Sequence, residues 1–275
     1  MLLSNIRAEL AKALRRPANW LLLAVAVTLS LTFAYLIPYA GYAGGTATPP
    51  NSDLGLPGML PPAYVGNAIG GMPVFAGALA VILGVLVVGT EYTATTWKTV
   101  LAQGPSRATV YASKLATIAV ATLAMTLVLA AVSAGASTLV AAVENQPLDW
   151  PPLTEQLAGI GGGWLVALMW ASFGALLAVV FRGVALPVGL GLVWLLAVQN
   201  LLAGIAAPLV DWIADLQLGL PGPNAGSLVA ALGAGTDTPG VATTVGGGQA
   251  ALVVAAYLVA FAVSGGWLLS RTDLD

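Results

Sequence analysis

LATIAVATLAMTLVLAAVSAGASTLVAAV, residues Leu115 to Val143, runs for 29 residues without a charge. At about 1.5 Å per residue, a helix of that length exceeds a hydrocarbon core of ~30 Å, so it tilts within a bilayer or projects from it. Working outward, five more uncharged windows of spanning length appear: Trp20 to Ile37, Met72 to Thr90, Leu157 to Phe181, Val184 to Ala207 and Gln249 to Leu269. They are continuous apolar runs, which excludes the ten-residue alternation of a membrane β-barrel. The expected fold is therefore all-α and integral to a membrane. It has six transmembrane helices in a single transmembrane domain, 1–275.

Composition narrows the function. The chain is 59% hydrophobic and 7% charged, against roughly 25% charged for ordinary globular proteins. Nine Lys and Arg against eleven Asp and Glu, with no basic run, leave no footprint for nucleic acid. Cys and His are absent, which removes thiolate chemistry, disulfides, imidazole bases and His-based metal sites. Ser137 and Ser172 thus lack a base that would make either an intramembrane protease nucleophile.

Charge also orients the chain. With the N-terminus inside, the inner segments hold all nine bases: Arg7, Lys12, Arg15, Arg16, Lys98, Arg107, Lys114, Arg182 and Arg271. The outer segments hold seven acids and no base: Asp53, Glu144, Asp149, Glu155, Asp211, Asp215 and Asp237. The positive-inside rule then places both termini in the cytoplasm. Trp20, Trp150, Trp212 and Trp267 fall at span boundaries, where interfacial anchors belong. The first span follows a basic segment as a signal peptide would, but its apolar run exceeds the ~7–15 residues of such a peptide, so a retained helix is expected.

Between the spans, residues 1–16 carry Leu3, Ile6, Leu10 and Leu14 at helical spacing and predict an amphipathic helix on the inner leaflet, interrupted at Pro17. The first outer loop, 41–71, is rich in Gly and Pro and reads as irregular or as carrying short turns, with no site. In the outer loop 208–248, Leu209, Trp212, Ile213 and Leu216 against Asp211 and Asp215 predict a short interfacial helix. Leu220 to Gly226 reads as a turn, and Ser227 to Leu232 as an apolar stretch too short to span, the two forming an interfacial or partly inserted hairpin.

The inner loop after the second span is the one patterned polar stretch. It reads Gly89-Thr90-Glu91-Tyr92-Thr93-Ala94-Thr95-Thr96-Trp97-Lys98-Thr99-Val100-Leu101-Ala102-Gln103-Gly104-Pro105-Ser106-Arg107. Trp97, Val100 and Leu101 share one helical face. Gly104-Pro105 supplies a helix stop, and Ser106 an N-cap for the helix that carries Lys114 into the third span. The predicted geometry is helix, sharp turn, helix.

This string, followed by Lys114-Leu115, resembles the cytoplasmic loop after the second span in bacterial membrane subunits of ABC transporters of the type 2 exporter superfamily. The layout of the whole chain is similar to that family; the motif is specific over about 89–115. The resemblance implies that the coupling loop, 91–114, docks on an ATP-binding subunit, and that the N-terminal helix is the connecting helix beside it. Glu91 and Tyr92 would stand at the exit of the second span, and Thr96, Trp97 and Leu101 on the coupling helix. Gly104 would make the turn, with Arg107 and Lys114 at the base of the third span.

None of the three lysines follows a Gly, so no phosphate-binding P-loop exists. ATP and Mg are therefore expected on a separate ABC subunit, in two copies, with two permease subunits, identical or not, in the bacterial plasma membrane. No cofactor or metal is expected on this chain. The six windows contain no charge, which disfavours the alternatives of an ion-coupled secondary transporter and leaves a non-transporting assembly or immunity subunit as the other class. Gln199 and Asn200, a polar pair in the fifth span, either line a substrate path or bond a neighbouring helix.

Overall fold

A long apolar run in a bilayer becomes a helix because that is how one segment satisfies its own backbone groups. The computed structural model describes residues 2–46, 55–102, 104–202 and 209–271, and among these no strand occurs. Five helices are long and apolar enough to cross a membrane: α2 (Pro17–Ala43), α4 (Phe75–Thr93), α6 (Arg107–Val143), α7 (Leu153–Phe181) and α11 (Gly247–Arg271). The sixth expected span is shorter. It forms α8 (Ala185–Leu201), at the lower edge of spanning length, and 203–208 lie outside the described residues. Four spans begin earlier than their apolar windows, α2 at Pro17, α6 at Arg107, α7 at Leu153 and α11 at Gly247, and Lys114 lies inside α6, the helix expected to carry it into the third span. Pro17 takes the first position of α2, where its missing N–H costs nothing.

The described basic residues gather at one end of the bundle and the described acids of the connecting loops at the other; Asp53 lies outside the described residues. Before α2, α1 (Leu2–Arg15) lies across the basic end. Leu3 and Leu14 of its apolar stripe are exposed, whereas Ile6 and Leu10 are half-buried against the bundle. The helix thus serves two surfaces at once. Trp20, Trp150, Trp212 and Trp267 are all exposed at helix ends.

Burial separates an inner pair of helices from a periphery. About two thirds of the apolar window of α4 is buried (67%), against 11% for α2 and 17% for α11. The inner pair is α4 and α7, which meet backbone to backbone. A Cβ on Gly84 would collide with the Ala171 carbonyl, and one on Gly174 with the Val81 carbonyl. Trp170 and Met169 of α7 are sealed in this core.

The acidic end departs from expectation. Beyond Gly55 the Gly/Pro-rich first loop carries the short turns expected of it and, in addition, a buried helix. It makes 3-10 turns at Leu56–Met59 and Pro61–Ala63 and then α3 (Tyr64–Ile69), which is buried against α6 and α7. Gly159 and Gly163 of α7 make room for Val65 and Ile69 of α3. The short interfacial helix is present as α9 (Asp211–Gln217), with no buried residue. Leu220 to Gly226, however, is no turn: Pro221 opens α10 (Pro221–Ala231), a helix buried from Asn224 to Val229. Proline at a first helical position is compatible with a helix, and Gly226 is needed because the Gly240 carbonyl lies against it.

The α4–α7 contact yields a first expectation. Gly84→Ala forces the two backbones apart and lowers unfolding stability by about 1–3 kcal/mol. Gly189→Ala, which meets open space, leaves it within the scatter of wild type; thermal unfolding of the two variants in detergent checks both.

Candidate functional site

The basic-end loop starts where α4 stops. The Thr96 N–H donates to the Glu91 carbonyl (3.0 Å) and the Thr95 N–H to the Tyr92 carbonyl (3.2 Å), a two-bond helix terminator. Thr95 occupies the left-handed position, φ 53°. That site normally takes glycine, and a β-branched residue there is strained by about 1–2 kcal/mol. The Thr96 hydroxyl donates to Glu91 Oε2. Then α5 (Trp97–Ala102) makes less than two turns and ends before Gly104, φ 100°. The Ser106 side chain caps α6 by accepting from the Thr109 N–H (3.2 Å). Sequence and structure agree on this helix, turn and cap.

Beneath the loop lies a cluster of four charges. Lys114 of α6 is 1% exposed, Glu91 of α4 4% and Glu9 of α1 9%. Lys114 Nζ donates to Glu9 Oε2 (2.9 Å), to Glu91 Oε1 (2.9 Å) and to the Val87 carbonyl (3.1 Å). An ammonium group has three hydrogens, and all three are used. Lys12, 41% exposed, closes the ring with bonds to Glu9 Oε1 (2.7 Å) and Glu91 Oε1 (3.0 Å). One turn on, Arg16 reaches the Leu86 carbonyl (3.0 Å). Two acids and two bases cancel, as buried charges must. Burial works against the charge of Lys12, but its hydrogen bonds and Coulombic attraction to Glu9 and Glu91 outweigh it and raise its pKa above the ordinary 10.5. The contribution of Lys12 to stability is therefore complete below pH 10.5 and is lost as pH climbs through the raised value.

Trp97 covers the cluster. Its ring centroid lies 5.6 Å from Lys114 Nζ and 5.4 Å from the Tyr92 ring, and the side chain is buried. A cation near the face of an indole in a dry site is held by about 2 kcal/mol or more. Val100 and Leu101 also turn inward. The sequence reading places Thr96, Trp97 and Leu101 on a docking helix; their side chains instead face the protein or are only half-exposed. Open to the outside are Thr93, Ala94, Thr95, Thr99, Ala102 and Gly104. Arg107 reaches across to the Leu269 and Ser270 carbonyls (both 3.4 Å), so the last span is fastened to the same end.

Glu91, Tyr92, Thr96, Trp97 and Lys114 are thus brought into one site, with Gly104 and Arg107 at its margin. Gln199 and Asn200 lie apart from it. They border a cavity of about 280 Å³ with Gly222, Pro223 and Thr244 at the acidic end. Gln199 is buried against Gly222, its Nε2 without a partner, while Asn200 is exposed and donates to the Leu196 carbonyl (2.9 Å). The sequence reading missed Glu9, Lys12 and Arg16 as members of the site. Their signal was spacing: they recur every three to four residues on the face that carries Ile6 and Ala13, so one stripe of α1 is both charged and inward.

A family model described as "ABC-2 family transporter protein" matches residues 5–198, from α1 through the whole charge cluster into α8. No curated protein matches the chain.

Removing one member of the cluster strands the others. Lys114→Met is expected to cost toward the lower end of ~3–5 kcal/mol, because Lys12 still neutralises one carboxylate. Adding Glu91→Gln to Lys114→Met should recover part of the loss, measured by thermal unfolding in detergent. Equal destabilisation by the single and double variants would show that the charges are not coupled.

Proposed function

The chain belongs to the ABC-2 family of transporter proteins, and from that premise we propose that it is the permease subunit of an ATP-driven exporter. Its cargo is hydrophobic or amphipathic and leaves from the cytoplasm or the inner leaflet. The family works with an ATP-binding ABC subunit, and the absence of a P-loop in this sequence agrees with nucleotide binding on another chain. In this reading two such subunits, which hold ATP and Mg, drive two permeases, identical or paired with a homologue. The membrane is a bacterial plasma membrane. Its cytoplasmic face is the basic end, since Lys and Arg are retained inside.

The observation that carries the proposal is the inward fold of Trp97 over Lys114. A loop so anchored is stiff. When ATP binding closes the partner dimer, a push on the open face at Thr95, Thr99 and Gly104 passes through Trp97 and the ion pairs to α1, α4 and α6 together. Spans two and three then move as one and reshape the path between the permeases. Gln199 and Asn200, beside the acidic-end cavity, are assigned to that path. Trp97 and Leu101 act as positioning residues, not as the surface that touches the partner.

The chain contains no cysteine, so single cysteines report without background. Thr99→Cys should react with a membrane-impermeant maleimide in inside-out vesicles and become protected when the ABC subunit co-purifies; Asp237→Cys should react from the opposite side. Trp97→Ala should retain the partner yet lose about tenfold in cargo-dependent ATP hydrolysis or in the resistance phenotype. A chain that purifies without any ABC subunit, or Trp97→Ala with transport intact, overturns the reading.

A further inference from the structure

A second and larger cavity, of about 330 Å³, lies in the acidic half of the bundle, away from the coupling loop and from Gln199. One wall is a continuous stripe of α2 that includes Ala26, Ser30, Phe33, Ala34 and Pro38. From Ala26 to Pro38 the helix rises about 18 Å at ~1.5 Å per residue, more than half of a ~30 Å hydrocarbon core. The opposite wall is Met59, Ala68, Phe75 and Leu129, and the segment Gly235 to Pro239 forms the rim. The space is therefore a slot that runs along α2, long enough for one extended chain. Its volume is at the small end of the roughly 300–1,000 Å³ of ligand pockets, too small for a two-chain lipid.

Three features show that the slot is held open. The α2 wall is π-helical over Thr32–Leu36, where the widened turn accommodates Pro38, which has no N–H for a regular turn. Phe33 and Phe75 stack with parallel rings, centroids 6.0 Å apart, and brace the two walls. Ser30 lines the slot with a buried hydroxyl that has no partner, although Thr28 on the same helix returns its hydroxyl to the Ala24 carbonyl (2.9 Å).

Charge selects the occupant. Among the described residues Asp237 is the one charged side chain that lines the slot, and no described basic residue lies at this end. An anionic head would meet a carboxylate of like charge; an ammonium head would pair with it. We propose that this slot binds a single-chain amphiphile with a cationic head, its tail along α2 and its ammonium group at Asp237. Binding needs no ATP, so it stands or falls apart from the transport reading.

The test uses the full chain in phosphatidylcholine nanodiscs and radiolabelled dodecyltrimethylammonium. Saturable binding is expected, with dodecyl sulfate a poor competitor. Asp237→Asn, an exposed change that leaves the fold intact, should weaken binding about tenfold, and Ser30→Phe should fill the slot and abolish it. The proposal is overturned if dodecyl sulfate competes as well as the cation or if Asp237→Asn binds like wild type. It is equally overturned if Phe33→Cys cross-links two copies of the chain through this face, which would make the slot part of a subunit contact.

Discussion

Two carboxylates and one ammonium group buried at one end of the bundle, with the half-exposed ammonium of Lys12 beside them, govern how its helices can be arranged. Any one of the buried three alone would be costly in that setting by several kcal/mol. Glu9, Glu91 and Lys114 come from α1, α4 and α6, and Lys12 of α1 also reaches Glu91, so separating any two of these helices breaks an ion pair of the cluster. The position of α1 follows from this. Its exposed leucines would let it float on a membrane surface, but Glu9 and Lys12 fix where on that surface it sits. Buried acids in membrane proteins also mark ion relays. Here both are paired with Lys12 and Lys114, and all three hydrogens of Lys114 are committed, which suits a fastening rather than a relay.

The cluster matters for motion because of what continues from it. Glu91 ends α4, and α4 is locked to α7 through Gly84 and Gly174 with backbone against backbone. Dense interiors transmit displacement because they have no slack to absorb it. A shift at the loop therefore reaches the inner pair of helices first. The peripheral helices α2 and α11, with most of their apolar surface outside the bundle, are free to meet lipid or another subunit.

Much of this was legible in the sequence. Uncharged runs located the spans because the bilayer imposes a length, and Gly104 and Ser106 marked the loop's turn and cap because backbone geometry demands those residue types. Two kinds of feature were not legible. Glu9 looked like one more charge on a surface helix, since its partner Lys114 lies 105 residues away and pairing at that distance leaves no local period. Trp97 had the right spacing for a helix face, but spacing does not say whether the face looks inward or outward. The acidic end failed for a different reason. Pro, Gly and Asn in 56–69 and 220–226 are turn formers in water, yet Pro221 serves as a helix start and Gly66 and Gly226 as points where a carbonyl touches another backbone. A glycine chosen for closeness and one chosen for flexibility are the same letter.

The two ends of the molecule are consequently fastened by different chemistry. At the acidic end side-chain bonds such as Tyr39 to Glu144 (2.7 Å) stand beside close contacts with backbone: Gly66 against the Gly233 carbonyl, Gly226 against the Gly240 carbonyl, and the Ser227 hydroxyl donating to the Ala242 carbonyl (2.8 Å) while accepting from the Thr244 and Val245 N–H groups (3.0 and 3.2 Å). Such contacts have one geometry, and small displacements break them. At the basic end the contacts run through long side chains of Lys, Glu and Arg, whose rotamers can follow a moving helix while the ion pairs persist. A close backbone contact, Gly89 against the Gly183 carbonyl, stands at this end too. In the proposed coupling, a push on the loop therefore tilts the spans as a linked set, because the ion pairs can persist while the helices they join change angle.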